Sequence, residues 1–213
     1  MFGDILEKKQ TEKTPLNPKS PYAISKVFGH YITKNYRESY NLYAVSGILF
    51  NHESPLRGEE FVTRKIILGL VQILKGDKDY LDLGNIHAKR DWGYAKEYVQ
   101  VMWKMLQQKK PDDYVISTGK TYSIKDFINK TIQKLGIKAK WTGKGLKEKL
   151  INLDNKKVII KINPKYFRPS EVNILIGNSI KAERKLNWKS QTNLDKLIDI
   201  MISEELKYYN QSL

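Results

Sequence analysis

Apolar positions recur along the chain with two periods, and their alternation predicts helices interleaved with short strands. The segment up to Ser20 is polar and carries Pro15 and Pro18, so it reads as loop. Ser20-Pro21 then opens a helix, with serine placed to cap the first free N–H groups and proline where no N–H is needed. Ile24, Val27, Phe28, Tyr31 and Ile32 follow at i, i+3, i+4, i+7 and i+8 and are expected to form one buried face. Residues 43–50 form a near-continuous apolar run of strand length, the pattern of a parallel strand covered on both sides. Residues 51–59 are polar with Pro55 and Gly58, and are expected to be a loop leaving that strand. In open α/β sheets such loops bind ligands.

Further helices are predicted over residues 60–74, 93–107 and 123–135, and short strands over 80–83, 114–117 and 158–162. Thr192-Asn-Leu-Asp195 has the spacing of a capping box ahead of a closing helix striped by Leu194, Leu197, Ile198 and Met201. Residues 143–157 show little periodicity and many lysines, and are read as a surface excursion. Helix alternating with strand argues for an α/β fold.

The composition, 40% hydrophobic and 11% aromatic, fits a globular protein and excludes a largely disordered one. The absence of cysteine excludes disulfides and thiolate metal sites, and agrees with a cytoplasmic setting. His30, His52 and His87 are too scattered to suggest a metal cluster. No apolar run is long enough to span a bilayer, and the first residues lack the regions of a signal peptide. The formal charge of +15 raises the question of nucleic acid, but the lysines are spread along the chain without a base-stacking motif, so neither nucleic acid nor membrane is expected as a partner.

Chemistry enters with Tyr22 and Lys26, four apart at the start of the first helix and therefore on one face. An isolated phenol is a poor base near neutrality, and an ammonium one turn away stabilises its phenolate. Among the tyrosines only Tyr22 has a lysine four residues later, and it stands behind Ser20-Pro21.

Ser20-Pro-Tyr-Ala-Ile-Ser-Lys26 resembles the active-site helix of extended short-chain dehydrogenases. Asn35-Tyr-Arg-Glu-Ser-Tyr40, Gly47-Ile-Leu-Phe-Asn-His-Glu-Ser-Pro55, Arg57-Gly-Glu and Phe61-Val-Thr-Arg-Lys65 resemble the GDP-mannose 4,6-dehydratases within that family. Leu83-Gly-Asn85, Arg90-Asp-Trp-Gly93, Phe167-Arg-Pro-Ser-Glu-Val172 and Leu186-Asn-Trp188 continue the match in the same order. The resemblance implies an incomplete Rossmann-type fold, with the last parallel strands plus the small C-terminal substrate-binding domain. Residues 1–58 would be the remnant of the NADP-binding domain with the Tyr/Lys helix. Residues 59–213 would be the substrate-binding region interleaved with the last Rossmann elements.

By the same resemblance Tyr22 is the base that takes the proton of the sugar 4-hydroxyl while hydride passes to NADP, and Lys26 assists it and holds the nicotinamide ribose. The 4-ketone acidifies the C5 hydrogen, water leaves from C6, and hydride returns there. His52 and Arg57 match cofactor-contacting positions. Asn51, Val62, Lys65, Gly84, Arg90, Arg168 and Glu171 match the GDP-sugar pocket, where the arginines suit a diphosphate through forked, charge-assisted hydrogen bonds. His30 and His87 are read as structural or surface residues.

Two departures stand out. No G-x-G-x-x-G turn, which seats a dinucleotide pyrophosphate, occurs in the chain. The family's catalytic glutamate lies just before the segment matching Met1-Phe2-Gly3. The resemblance therefore implies no dehydration by these 213 residues alone, and leaves three readings of Met1 open: an internal start, the second half of a split gene with a separate N-terminal half chain as partner, or a truncated pseudogene. Leu56 stands where the family commonly has a second arginine that reaches across a subunit contact, although a homo-oligomer is still implied for a completed enzyme. The alternatives are another sugar-nucleotide epimerase or dehydratase, or a non-catalytic nucleotide-sugar-binding module.

Overall fold

Ser20 caps the first helix as its position requires, its hydroxyl accepting the Ala23 N–H at 3.1 Å, with Pro21 in the first turn. The computed structural model describes residues 1–4, 6–167 and 172–211. Its elements run α1 (Pro21–Tyr40), β1 (Ser46–Leu49), β2 (Asn51–Glu53), α2 (Val62–Lys75), β3 (Leu81–Leu83), β4 (Lys89–Arg90), β5 (Trp92–Tyr94) and α3 (Ala95–Leu106). They continue with β6 (Asp113–Ile116), β7 (Tyr122–Ser123), α4 (Ile124–Lys134), β8 (Ala139–Thr142), β9 (Lys149–Asn152), β10 (Val158–Ile162), α5 (Ile180–Leu186) and α6 (Leu194–Gln211). The chain divides into two compact units, the first formed by Met1–His52, Lys89–Tyr122 and Val172–Asn193, the second by the intervening segments and the C-terminal helix.

In the first unit β1 and β6 pair in parallel, Ser46 opposite Asp113 through Leu49 opposite Ile116. Successive side chains of β1 point to opposite faces. On one face Leu49 joins a core of Tyr98, Val101 and Met105 from α3, Ala182 and Leu186 from α5, and Trp188. On the other, Ile48 packs with Phe2, Phe50 and Val115. Arg37 on α1 ties the helix to the start of β6 by a forked pair of bonds to Asp113, at 2.9 and 3.0 Å. Burial works against the Asp113 carboxylate, yet the Arg37 guanidinium holds its titration below the usual range.

Three expectations need correction here. The apolar stripe of α1 is not buried: Ile24, Phe28, Tyr31 and Ile32 are 56, 68, 56 and 39% exposed, and no residue of α1 is buried. Periodicity marks a face that wants a partner, and no described element covers this one. The apolar run at 43–50 is strand only from Ser46, because the Tyr43 hydroxyl turns away to the carbonyls of Met105 and Gln108. The loop expected at 51–59 begins instead with strand β2, which pairs with β5. A non-local partner overrides the polar local composition there.

The second unit holds a four-stranded sheet in the order β3-β10-β9-β8, parallel between β3 and β10 and antiparallel elsewhere. Ile66, Ile67 and Leu70 of α2, Phe127 and Ile128 of α4, and Leu194, Leu197, Ile198 and Met201 of α6 are buried, so the predicted stripe of the closing helix does face a core. A capping box is present, but at Ser123 and Asp126 ahead of α4. The Thr192 N–H and hydroxyl go instead to the Glu97 carboxylate. The lysine-rich excursion at 143–157 contains β9, with Leu150 fully buried. Four residues of strand among lysines give too short a period to read.

Glu148, buried just ahead of β9, accepts from His87 Nε2 at 2.8 Å and from Lys125 Nζ. Burial pushes its carboxyl up, but the Lys125 and His87 contacts prevail and hold it below the ordinary glutamate range. A depressed folded-state value means stability that is present above the unfolded value and is lost as pH falls through the folded one. Glu148→Gln is therefore expected to cost about 1 kcal/mol at neutral pH and almost nothing in strong acid, read from urea melts at both.

Candidate active site

Tyr22 and Lys26 occupy the first two turns of α1, and the Lys26 ammonium nitrogen stands 5.3 Å from the centre of the Tyr22 ring. Tyr22 is 72% exposed, so its hydroxyl is open to an incoming group. The i, i+4 spacing thus delivers the juxtaposition expected of it.

Asn51 and His52 lie side by side at the start of β2, both half-buried. The His52 ring is fixed from two directions. It stacks on the buried Tyr98 at 5.1 Å between ring centres, and its Nδ1 lies 2.9 Å from the Phe50 carbonyl. A neutral imidazole in that position donates from Nδ1 and leaves Nε2 as an acceptor. Arg90 donates from Nη1 to the carbonyls of Val172 at 2.7 Å and Lys89 at 2.9 Å. The two carboxylates nearest in sequence are committed elsewhere. Asp91 accepts from Thr118, Gly119 and Gly177, and Glu97 from Ser190, Gln191 and Thr192.

In the second unit Arg57 leaves the loop after β2 with its Nε 3.3 Å from the buried Glu53 carboxylate and its guanidinium 3.6 Å over the Phe61 ring. Glu53 also accepts the Thr63 hydroxyl at 2.5 Å. Arg64, which sequence reasoning did not single out, donates to the carbonyls of Pro55 and Arg57 and pairs with Glu205 at 2.7 Å. These contacts pin both ends of the loop carrying Arg57, while Leu56 at its tip is 94% exposed. In sequence Arg64 looks like any helix-surface arginine, so no local signal could have found it.

Val62 opens α2, and Lys65 one turn later places its ammonium 4.0 Å from the centre of the Tyr166 ring. Burial and then the neighbouring Lys78 lower the Lys65 titration from the ordinary lysine range. Gly84 meets the same Tyr166: a Cβ built on it would stand 2.4 Å from the Tyr166 carbonyl oxygen. Lys65 and Gly84 therefore share one wall, two residues before Arg168 in sequence. Gly84→Ala must displace that backbone and is expected to cost about 2 kcal/mol, seen as a lower urea midpoint. Arg168 and Glu171 lie outside the described residues.

The predicted positions thus fall partly in one unit (Tyr22, Lys26, Asn51, His52, Arg90) and partly in the other (Arg57, Val62, Lys65, Gly84). A cavity of about 190 Å³ in the first unit, lined among others by Glu12, His30, Lys34 and Asp113, includes none of them. Among the described residues no helix is long and apolar enough to cross a membrane, and no group of three or more His, Asp or Glu side chains could hold a metal ion.

The family model for GDP-mannose 4,6 dehydratase matches residues 1–201. A GDP-mannose 4,6 dehydratase of Dictyostelium discoideum is 47% identical over 98% of this chain, which spans 58% of that relative. For the enzyme of that name from Sinorhizobium fredii (strain HH103) the identity is 45%, covering 98% of this chain and 59% of the relative, and for that of Homo sapiens 44%, covering 97% and 56%. The chain thus spans rather more than half the length of the curated relatives it matches. Among solved structures, RMD from Pseudomonas aeruginosa complexed with NADPH superposes with a TM-score of 0.79 at 15% identity, over 97% of this chain and 63% of that one. The dTDP-glucose 4,6-dehydratase of Bacillus anthracis in complex with NAD gives 0.75 at 18%, over 99% and 58%. At that identity the likeness establishes the fold, a partial Rossmann-type α/β arrangement. The extent of the sequence match establishes more: this chain belongs to the GDP-mannose 4,6-dehydratase family of extended short-chain dehydrogenases.

Proposed function

We propose that this chain supplies the tyrosine–lysine pair and the sugar-nucleotide side of a GDP-mannose 4,6-dehydratase, converting GDP-mannose to GDP-4-keto-6-deoxymannose and water. The observation that carries the reading is the open Tyr22 hydroxyl beside the Lys26 ammonium, in a chain of that family. The Lys26 ammonium stabilises the Tyr22 phenolate, which takes the proton of the sugar 4-hydroxyl and becomes the neutral phenol.

NADP, when bound, supplies the hydride acceptor and donor of this chemistry. The residues present fit one end of it. Tyr22 and Lys26 offer donors toward the nicotinamide ribose, His52 presents a fixed acceptor nitrogen, and Arg57 lies on a pinned loop. The chain has no glycine-rich turn for the pyrophosphate. On this reading residues 1–58 belong to the cofactor side and 59–213 to the substrate-binding region interleaved with the last Rossmann elements. Asn51, Val62, Lys65, Gly84, Arg90, Arg168 and Glu171 are assigned to GDP-sugar binding because they match the family's positions for it. Lys65 there contributes a cation already stripped of part of its water, which strengthens its attraction for a diphosphate.

Activity then requires an N-terminal half bearing the glycine turn, and the completed enzyme is a homo-oligomer in the cytoplasm. The test is turnover. Mixed with the part of the Dictyostelium discoideum relative that it does not span, and with NADP, the chain is expected to convert GDP-mannose to a product one water lighter by mass spectrometry. The 213 residues alone are expected to give none. Conversion of UDP- or dTDP-sugars instead would favour the epimerase or other-dehydratase reading.

A further inference from the structure

The sheet of the second unit gathers on one face cations that the sequence disperses. α4 covers the other face: the Trp141 indole donates to Asn129 at 2.8 Å and the Lys125 ammonium stands over its ring, in the row that Trp141 forms with Leu150, Ile160 and Leu81. Side chains alternate along a strand and residues opposite each other share a face, so the neighbouring rows turn the other way. One of them runs Asp82, Lys161, Lys149, Thr142 across β3, β10, β9 and β8, and the next runs Val158, Ile151, Lys140.

Lysines on the two sides are treated differently. On α4, Lys125, Lys130 and Lys134 each meet a carboxylate, of Glu148, Asp195 and Asp199. On the open face, Lys140, Lys149 and Lys161 take part in none of the ion pairs among the described residues. Lys149 and Lys161 stand directly opposite each other on antiparallel strands, a like-charge juxtaposition that costs stability. The Lys161 ammonium lies 3.5 Å from the centre of the Tyr80 ring. The hairpins at the two ends of β9 add exposed lysines, Lys144 and Lys147 at one and Lys156 and Lys157 at the other, whereas Glu148 is buried against His87 and Lys125. Residues 138–161 hold eight lysines, with Glu148 and Asp154 as the only acids, and no arginine.

We infer, against the expectation set by that dispersal along the chain, that this face binds the phosphodiester backbone of a single-stranded nucleic acid without reading its sequence. Lys149 is opposite Lys161 at roughly 5 Å and diagonal to Lys140 at roughly 7 to 8 Å, so a line of single cations crosses three strands. An extended polymer with one charge per unit can follow that line. An ammonium is a point charge, which suffices for a phosphodiester, and the forked guanidinium that best grips a carboxylate is missing from residues 138–161. Tyr80 beside Lys161 supplies a ring of the kind on which bases stack. The apolar members of the face, Ile151 and Val158, are half-buried and offer little to insert into a bilayer. None of these residues belongs to the positions assigned to GDP-mannose or NADP, so the binding stands apart from the dehydratase reading.

Fluorescence anisotropy of a labelled oligouridylate, about twelve nucleotides long, tests this on the 213-residue chain. With Lys140, Lys149, Lys161 and one lysine of the hairpins neutralising about four phosphates, affinity should fall about fiftyfold between roughly 50 and 200 mM salt. Lys140→Gln together with Lys149→Gln should weaken binding at least tenfold at the lower salt and roughly halve the salt dependence. Both side chains are exposed, and relief of the Lys149–Lys161 repulsion should leave the urea midpoint equal or higher. Lys109→Gln together with Lys110→Gln, exposed lysines of the first unit, removes the same charge and should change binding less than threefold. No binding, equal losses in the two double variants, or tighter binding of polyglutamate or of phosphatidylserine vesicles than of the oligonucleotide would overturn the proposal.

Discussion

Tyr22→Phe is expected to lower kcat for GDP-mannose dehydration by about a thousandfold in the completed enzyme, with KM changed less than threefold. A positioned acid–base group contributes between about a hundred and ten thousandfold, and Tyr22 is the only tyrosine in the sequence with a lysine four residues later, the ammonium 5.3 Å from its ring centre. The substitution removes one oxygen from a side chain that is 72% exposed and buries nothing, so folding is a poor route to the loss. A loss in kcat without a rise in KM separates proton transfer from ground-state binding. Lys26→Met should fall in the same direction and raise KM for NADP as well, since the proposed reading gives one ammonium both tasks. Steady-state rates for the three forms decide it, and a Tyr22→Phe enzyme within tenfold of the parent would remove the tyrosine from its role.

Asp91→Ala should cost the first unit about 3 to 5 kcal/mol, enough to unfold most marginally stable domains. The Asp91 side chain is fully buried, and its two oxygens accept the Thr118 N–H at 2.9 Å, the Thr118 hydroxyl at 2.7 Å, and the N–H groups of Gly119 at 3.0 Å and Gly177 at 3.3 Å. Alanine would leave the buried Gly177 N–H and the half-buried Thr118 and Gly119 N–H groups without this acceptor. Asparagine keeps an accepting oxygen and should cost less. Burial pushes the Asp91 carboxyl above its ordinary range, the hydrogen bonds opposing it. The sign of its pH linkage is therefore opposite to that of Glu148: its contribution is fully present below the unfolded value and declines as pH rises through the folded one. Urea melts of parent, Asp91→Asn and Asp91→Ala measure both effects. Equal stability of all three would show that the four contacts contribute little.

The local features proved readable where local chemistry decides them. Ser20-Pro21 set the start of α1, and the apolar run at 158–162 coincided with β10. The Tyr22–Lys26 juxtaposition follows from helix geometry alone. What could not be read depends on distant partners. The stripe of α1 announced a buried face, but periodicity carries no information on whether its cover lies in the same chain. Arg64 pins the Arg57 loop through carbonyls seven and nine residues away and through Glu205 on the last helix, none of which a one-dimensional pattern connects. Thr192 left its expected cap for Glu97, 95 residues away, because a half-buried carboxylate competes for the same N–H and hydroxyl. Gly84 and Lys65 were singled out by family likeness, and their common contact with Tyr166 is a physical reason for pairing them that spacing could not supply.

All of this leans on a preference for a guanosine-diphosphate sugar, and calorimetric titration of the chain reaches it without any partner or turnover. GDP-mannose should bind at least tenfold more tightly than UDP-glucose or dTDP-glucose, and Lys65→Met should weaken it by about tenfold. Equal affinity for the three sugar nucleotides, or a Lys65→Met chain that binds GDP-mannose as the parent does, would contradict the assignment.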